Sequence, residues 1–460
     1  MTLKSLTVKF NNLNRGVKMK ILTVEKLIVC AIVLILYNGY GFAAYNDSIL
    51  EFSDNFNSPD GDVSENVDYS ERQAGEWAVA DEIIDNPTAI ITSNRVRITR
   101  GSGFHPDHTL NDIENNLNVS CDAYVVDFDG TYNLFGMELK GSDHAYNWWY
   151  QNTPDRPVFQ IDGANQWNRG SYRNYEWNAY YDTEYNHINT LFSARDGSAF
   201  WTACFCNGEP ITAGQGNHGT ILRIANPFPD SANMKLVCWA GKTSTDVAAD
   251  NLVIKSVSPT FDISDWSDDS SSLISFAKTY THAINCGGNT TTVNGVTFAG
   301  ISNPSLTSNV TWRILNNVNE PSMISGTQST TISGNGAMLA EDYFTAAPCS
   351  TLILSDLATG LVYKLTLYCN ADAPDNDIAV ATSDEDGGIT TLNAHGSNGG
   401  KIISIGYIAS AKGKFSITFD SNDTTTSNSW RLYAFSNEMA VPECSLFIGF
   451  LMMTGLFVRQ

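Results

Sequence analysis

The chain has 460 residues and a strong acidic excess: 49 Asp and Glu stand against 27 Lys and Arg, for a formal net charge of −22 at pH 7. A surface of this sign repels nucleic-acid phosphates and anionic lipid headgroups, so we exclude nucleic acid as a partner. The length predicts about two domains once both chain ends are set aside.

The N-terminal region begins with basic residues between 18 and 26, followed by the apolar run "LIVCAIVLILY" and then by small residues. This order is typical of a secretory signal peptide, and the apolar run is too short to span a bilayer. We predict a signal peptide at 1–43 and cleavage by signal peptidase between Ala43 and Ala44. The signal is complete from Met19, so we expect translation to start there.

The body between the two ends has almost no helical periodicity. Short alternating or β-branched runs such as "AIITSNRVRIT", "CDAYVVDF" and "LFGMELKG" recur, with turn-forming residues between them. This pattern predicts an all-β fold of two tandem antiparallel β-sandwich domains, jelly-roll-like, between an N-terminal signal helix and a short C-terminal hydrophobic helix. We place the domains at 46–258 and 276–438, separated by a Ser- and Asp-rich linker at 259–275.

Two local motifs support the second sandwich. Asn294-Gly295 lies between strand-like residues and predicts a two-residue hairpin, because both residues tolerate positive φ. Leu357, Gly360 and Tyr363 have the spacing of a tyrosine corner, in which a tyrosine at a strand start bonds back to the preceding loop. We expect Tyr363 and every second residue after it to face one side of that strand.

Both halves also resemble known families. The first opens "FSDNFNSPDGD" and closes "ADNLVIKSV", and in this respect resembles the concanavalin- or laminin-G-like jelly rolls of exported bacterial proteins. The resemblance implies that these two terminal segments pair as strands. The second half opens "KTYTHAINCGGNTTTVNGVTF" and closes "WRLYAFSN", which resembles a β-sandwich domain of exported, sorting-tagged bacterial proteins without a settled activity.

The tail 441–460 combines a short motif, an uncharged apolar run from 444 to 458 and a basic terminus. It resembles the PEP-CTERM sorting tail of Gram-negative bacteria, although Cys444 replaces a proline and the terminal arginine stands alone. The resemblance implies processing by an exosortase-like membrane enzyme and placement at the cell surface or in extracellular matrix. The alternative is a buried C-terminal helix. The sorting-signal residues are Val441, Pro442, Glu443 and Arg459.

The stretch 146–181 is rich in aromatic residues separated by Asn, Gln, Arg and Asp. Sugars have apolar faces on which aromatic rings stack and polar edges that amides and carboxylates bond, so this pattern predicts polysaccharide contact. The alternative is that these rings fill the sandwich core. On a strand, neighbouring Trp148 and Trp149 face opposite sides. The candidate carbohydrate-binding residues are Trp148, Trp149, Tyr150, Trp167, Trp177, Tyr180 and Tyr181.

We identify no catalytic residues. The Glu-x-Asp-x-x-Glu strand of jelly-roll glycoside hydrolases is missing, and in "VFQID" Asp162 stands where jelly-roll alginate lyases have histidine. Asp54, Asp60 and Asp62 offer oxygen ligands for calcium but lack an EF-hand pattern, so we predict no cofactor. Three hypotheses remain: a surface-sorted polysaccharide-binding or matrix protein, a purely structural envelope protein, and a carbohydrate-active enzyme.

Seven cysteines lie in the body, and export would expose them to oxidising conditions in which disulfides form. We expect one or two disulfides, with at least one thiol left over because the number is odd. The sequence contains no CxxC pair typical of a structural zinc site. The seven are Cys121, Cys204, Cys206, Cys238, Cys286, Cys349 and Cys369.

Overall fold

The structure is a computed structural model, which describes the following residues: 47–55, 61–62, 77–79, 88–91, 96–99, 103–106, 116–127, 135–140, 145–150, 158–161, 164–168, 186–193, 200–210, 221–224, 235–239, 246–301, 311–316, 322–324, 331–345, 349–370, 378–393, 399–420 and 430–439. The predicted signal peptide 1–43 and the tail 441–460 lie outside these residues. In the described part of the chain, no helix is long and apolar enough to cross a membrane.

The described residues of the first half form seventeen strands. They are β1 (Asp47–Asp54), β2 (Gly61–Asp62), β3 (Trp77–Val79), β4 (Thr88–Ile91), β5 (Val96–Thr99), β6 (Gly103–Pro106), β7 (Asn116–Asp127), β8 (Phe135–Lys140), β9 (Ala145–Tyr150), β10 (Val158–Ile161), β11 (Ala164–Asn168), β12 (Asn186–Ser193), β13 (Phe200–Cys206), β14 (Glu209–Pro210), β15 (Leu222–Ile224), β16 (Lys235–Trp239) and β17 (Asp246–Ser258).

The described residues of the second half form fifteen more strands and two short 3-10 helices, Ser270–Ser272 and Asn335–Ala340. The strands are β18 (Asp262–Trp266), β19 (Thr279–Cys286), β20 (Thr291–Val293), β21 (Val296–Ile301), β22 (Trp312–Asn316), β23 (Ser322–Ile324), β24 (Tyr343–Thr345), β25 (Cys349–Leu354), β26 (Val362–Cys369), β27 (Ile378–Thr382), β28 (Ile389–Leu392), β29 (Gly400–Ile408), β30 (Phe415–Asp420), β31 (Arg431–Leu432) and β32 (Ala434–Met439).

Two sheets build the first half. The larger has the order β14-β13-β12-β7-β17-β5-β4-β2, with β1 also on β17 and β15 on β13; the other has the order β11-β10-β9-β8-β16-β6-β3. Within the described residues, all strand pairs of these two sheets are antiparallel, and the chain crosses repeatedly between the sheets. Strands β1 and β17 pair from Asp47 opposite Ser258 to Asp54 opposite Leu252, which confirms the predicted pairing of the terminal segments.

The second half packs a seven-stranded sheet, β18-β29-β26-β32-β19-β21-β20, against a five-stranded sheet, β22-β25-β30-β27-β28, with the small sheet β23-β24-β31 beside them. Its core draws on both large sheets, for example Leu365 and Ile405 from one and Ile417 and Val380 from the other. Strand pairing is antiparallel except between β19 and β21. The predicted all-β fold of antiparallel sheets is confirmed, with two large sheets in each half of the body.

Both local motifs of the second sandwich are confirmed. Asn294 and Gly295 have φ of 48° and 81° and join Val293 to Val296 in a two-residue hairpin. The hydroxyl of Tyr363 accepts a hydrogen bond of 2.8 Å from the backbone N–H of Ala358, as a tyrosine corner requires. Along β26 the expected alternation holds, because Tyr363 lies in the main core and Tyr368 in a second core on the opposite side of the sheet.

The segment 259–275 differs from the predicted linker, because it has regular structure. Strand β18 pairs with β29 along its whole length, from Asp262 opposite Ser404 to Trp266 opposite Gly400. Four of the five residues of β18 are exposed, which explains the polar composition, but Trp266 is fully buried against the edge of Tyr368. The boundaries at 46–258 and 276–438 remain a prediction.

The two halves also contact each other, and residues 44–441 form one compact unit. On the large sheet of the first half, side chains of β12 and β13 share a small core with side chains of β27 and β28. The carboxylate of Glu209, almost fully buried, pairs with both Arg313 and Lys414 of the second half. Members of the shared core are Leu191, Trp201, Ala203, Phe205, Ile221, Ala379, Ala381 and Ile389.

Candidate functional site

The aromatic stretch enters three neighbouring strands, β9, β10 and β11, at one end of the smaller sheet of the first half. For these strands and for β8 and β16 the structure describes the backbone and its pairing. Trp148 is opposite Met137 on β8 and Phe159 on β10, and Phe159 is opposite Trp167 on β11. Directly opposed positions belong to one face of a sheet. This row of four positions is therefore apolar throughout.

Trp149 lies in the next row, which belongs to the opposite face because successive residues alternate. It is opposite Gly136 on β8, and Gly136 is opposite Trp239 on β16. Two strand spacings of about 4.8 Å separate the two tryptophan positions, so roughly 10 Å lies between them. The row thus holds two indole-bearing positions with a glycine between them, and it continues beyond Trp149 to Val158 on β10 and Asn168 on β11.

Polar residues follow on the same face, two positions further along each strand. Glu138 is opposite Asn147, and Asn147 is opposite Gln160. Across the sheet this row continues to Val237 on β16 and Asn165 on β11. It therefore holds three amides and one carboxylate, the groups that bond sugar hydroxyls, beside one valine. We call the set Trp149, Gly136, Trp239, Glu138, Asn147 and Gln160 the polar–aromatic face.

The register assigns the predicted carbohydrate-binding residues to two different faces of the sheet. Trp149 belongs to the polar–aromatic face, whereas Trp148, Tyr150 and Trp167 belong to the apolar face of the same sheet. Sequence reasoning did not assign Trp239, Glu138 or Gln160, because strand pairing brings them beside Trp149 from up to 90 residues away. Trp177, Tyr180 and Tyr181 lie outside the described residues, as do Ala43, Ala44, Val441, Pro442, Glu443 and Arg459.

A carboxylate–histidine pair occurs on the larger sheet of the first half. Nδ1 of His187 lies 2.8 Å from Oδ1 of Asp122, and the other carboxylate oxygen accepts a 2.8 Å hydrogen bond from Asn251. The backbone of His187 exchanges hydrogen bonds with Asn207 at the tip of the β13–β14 hairpin. These bonds fix the imidazole and tie β12 to its neighbours. We assign the pair a structural role.

Metal binding has no cluster to support it within the described ranges, where no group of three or more His, Cys, Asp or Glu side chains converges. Of the three aspartates named for calcium, Asp60 lies outside those ranges, while Asp54 and Asp62 end β1 and β2. The calcium hypothesis therefore stays untested at this loop.

Six of the seven body cysteines are described, and each is a buried thiol. Cys204 and Cys206 face the same side of β13, as their spacing predicts, and Cys204 lies 3.4 Å from the hydroxyl of Thr190. Burial raises the pKa of Cys369 to about 12, and it also raises the pKa values of Cys206 and Cys286. These thiols are held away from the thiolate form that reacts with oxidants and metals.

No protein-family model and no curated protein sequence matches this chain. Among solved structures, the metal-free carbohydrate recognition domain of Emp46p is similar at 6% identity, covering 42% of this chain and 94% of its own, with a TM-score of 0.29. Lectin I-B4 from Griffonia simplicifolia is similar at 7% identity, with coverages of 39% and 98% and a TM-score of 0.27. Alginate lyase vAL-1 from Chlorella virus is similar at 12% identity, with coverages of 40% and 94% and a TM-score of 0.28. These scores are too low to support an argument about function.

Proposed function

We propose that this chain is an exported, surface-sorted and non-catalytic protein that binds polysaccharide through the polar–aromatic face of its first sandwich. The backbone register carries the proposal, because it brings two tryptophan positions and a row of amide and carboxylate positions to one sheet face. Aromatic rings stack on the apolar faces of sugars, and Asn, Gln and Glu bond their hydroxyl groups.

The proposal gives the two adjacent tryptophans different roles. The row of Trp148 contains Met137, Phe159 and Trp167, which is the composition of a core. The row of Trp149 leads into polar residues, which is the composition of a ligand-binding or solvated face. Sugar contact is therefore assigned to Trp149 and Trp239, and packing to Trp148.

The test compares Trp149→Ala with Trp148→Ala as a matched pair. Trp148→Ala should lower the free energy of unfolding by about 3–5 kcal/mol, because it removes a large core side chain. Trp149→Ala should leave melting nearly unchanged. It should weaken retention on polysaccharide about fivefold per site, since stacking on one ring is worth on the order of 1 kcal/mol.

Retention is measured by affinity electrophoresis on a broad panel of neutral and acidic polysaccharides, and stability by thermal melting of the same preparations. If both variants unfold the domain, or if no polysaccharide retards the wild type, the purely structural hypothesis is favoured. Release of new reducing ends from a retained polysaccharide would instead favour a carbohydrate-active enzyme.

Export and sorting belong to the same proposal, supported by the two chain ends. Weak single sites gain avidity when many copies are fixed on one surface, which suits a sorted protein. Deleting 441–460 should release the protein into the medium, and the wild type should yield a processed form that lacks these residues and begins at Ala44. Immunoblotting and terminal sequencing of cell fractions check this. Persistence of the intact tail in inner membrane, without a shorter form, would make it an ordinary anchor.

A further inference from the structure

The loop 383–388, which we call the latch loop, joins β27 to β28 in the second sandwich and contacts the first sandwich. The side-chain amide of Asn118, buried on β7, donates hydrogen bonds of 3.0 Å to the backbone oxygen of Asp384 and 2.9 Å to that of Gly387. One buried amide of the first sandwich therefore holds two backbone oxygens of this loop.

Asp386 adds a second attachment. Its Oδ1 lies 2.8 Å from Nζ of Lys255 on β17 and accepts a 2.8 Å hydrogen bond from the hydroxyl of Ser48 on β1. Gly388 lies against Val257 and Pro259, so that an added Cβ would approach both within 3 Å. The latch loop thus contacts three strands of the first sandwich.

The carboxyl group of Asp384 lies inside this contact and is almost fully buried. Its Oδ1 has no hydrogen-bond partner among the described residues. The charged and titratable groups near it are Asp386 on the same loop, Lys255 on β17 and Tyr407 on β29, while Glu385 is largely exposed. The ammonium group of Lys255 already forms an ion pair with Asp386.

Burial, together with the nearby carboxylate of Asp386, raises the pKa of Asp384 to about 7. The backbone N–H of Asp384, the nearby Thr382 hydroxyl and Lys255 lower it by less. The protonated form fits the closed loop, because a neutral carboxyl avoids the cost of a buried charge that these groups offset only in part.

We propose that Asp384 is a proton-controlled latch: its ionisation opens the latch loop and weakens the contact between the two sandwiches as pH rises towards neutrality. When the carboxylate is charged, turning it to water restores its hydration. That movement pulls the backbone oxygens of the loop away from Asn118.

Proton linkage gives the direction in which loop closure depends on pH. A carboxyl in an opened, hydrated loop titrates near its ordinary value of 3.8, whereas in the closed loop it keeps its proton up to about pH 7. Between these values the closed state binds more protons, so closure weakens as pH rises, by up to tenfold per pH unit. Above both values the effect is complete and closure changes no further.

The experiment is amide hydrogen exchange followed by mass spectrometry on the full chain, wild type and Asp384→Asn, at matched pH values from 5 to 8. Asn is nearly the same size as Asp and never ionises. Comparison at equal pH cancels the intrinsic pH dependence of exchange. The ratio of wild-type to variant exchange in peptides covering 382–392 should rise by up to tenfold per unit between pH 5 and 7, then level off.

Peptides covering β26 and β29 serve as the internal reference, and Asp265→Asn as the matched control variant, since Asp265 is exposed at the edge strand β18. Equal pH profiles for wild type and Asp384→Asn would overturn the proposal. So would closure restored at pH 8 by millimolar calcium alone, which would assign the carboxylate to a cation. If Asp384→Asn does not fold, Asp384→Ser gives the same comparison.

Discussion

A single hydroxyl group closes the corner before strand β26. Tyr363 is almost fully buried, and its hydroxyl accepts the backbone N–H of Ala358 at 2.8 Å while its ring stacks on Tyr407. Tyr363→Phe keeps the packing but leaves that N–H without its partner. We expect a loss of about 1–3 kcal/mol in the free energy of unfolding, measured by urea denaturation of the full chain.

The control for this variant is Tyr343→Phe, which removes a hydroxyl from a ring that is only partly buried. It should change the free energy of unfolding by less than about 0.5 kcal/mol. Equal losses in the two variants would show that the corner bond contributes nothing specific to stability.

Residues whose role depends on near neighbours were predictable from the sequence. Tyr363 bonds a residue five positions away, and Asn294-Gly295 forms a turn within itself. Glu209 was not predictable, because its partners Arg313 and Lys414 lie 104 and 205 positions along the chain. Nothing in the local pattern "CNGEPIT" indicates that this carboxylate is buried.

At the scale of the strand, amino-acid composition gives the wrong prediction for β18, whose side chains are mostly exposed although its backbone is paired in a sheet. Strand β18 exposes Asp262 to Asp265 because it lies at the edge of its sheet, so its polar sequence looks like a linker. Only Trp266 enters a core, beside Tyr368 and Ile402. The two apolar residues of this strand, Ile263 and Trp266, are three positions apart and so face opposite sides, which gives no alternating pattern. The pairing with β29 is fixed by distant residues.

In the aromatic strands β9, β10 and β11, local geometry predicts the alternation of side chains but not the register between strands. The alternation of Trp148 and Trp149 follows from local strand geometry and was predictable. Which of the two belongs to the polar face depends on the register with β8, β10 and β16, which no local pattern encodes. The sequence therefore located the aromatic stretch but not the partners Trp239 and Glu138 on the same face.

At the scale of the whole molecule, the contact between the sandwiches combines a small apolar core with buried charge. Ala203 on one side and Ala379 and Ala381 on the other are fully buried in this core, where short side chains let two sheets approach closely. Such a contact has no directional bonds of its own. Orientation is then supplied by its polar members, the Asn118 amide and the Glu209 carboxylate.

The Glu209 cluster should therefore contribute more to stability than an exposed ion pair in the same protein. Its carboxylate is 3% exposed, while the side chains of Arg313 and Lys414 are 36% and 26% exposed and regain water when it is removed. Glu209→Ala should consequently cost about 1–3 kcal/mol, less than the loss for a fully buried pair. In scanning calorimetry of the full chain, the melting temperatures of the two sandwiches should differ more in Glu209→Ala than in the wild type.

The matched control for Glu209→Ala is Asp265→Ala, which breaks the pair of Asp265 with Lys401 at 2.7 Å, in which the aspartate side chain is 88% exposed. Water and salt screen this pair, so its loss should lower the free energy of unfolding by less than about 1 kcal/mol. The calorimetric transition should not split. Raising ionic strength should shrink the Asp265→Ala effect more than the Glu209→Ala effect, because burial shields the Glu209 carboxylate from mobile ions. Equal costs with equal salt dependence would mean that the Glu209 cluster behaves as a surface pair and that the apolar core alone holds the two sandwiches together.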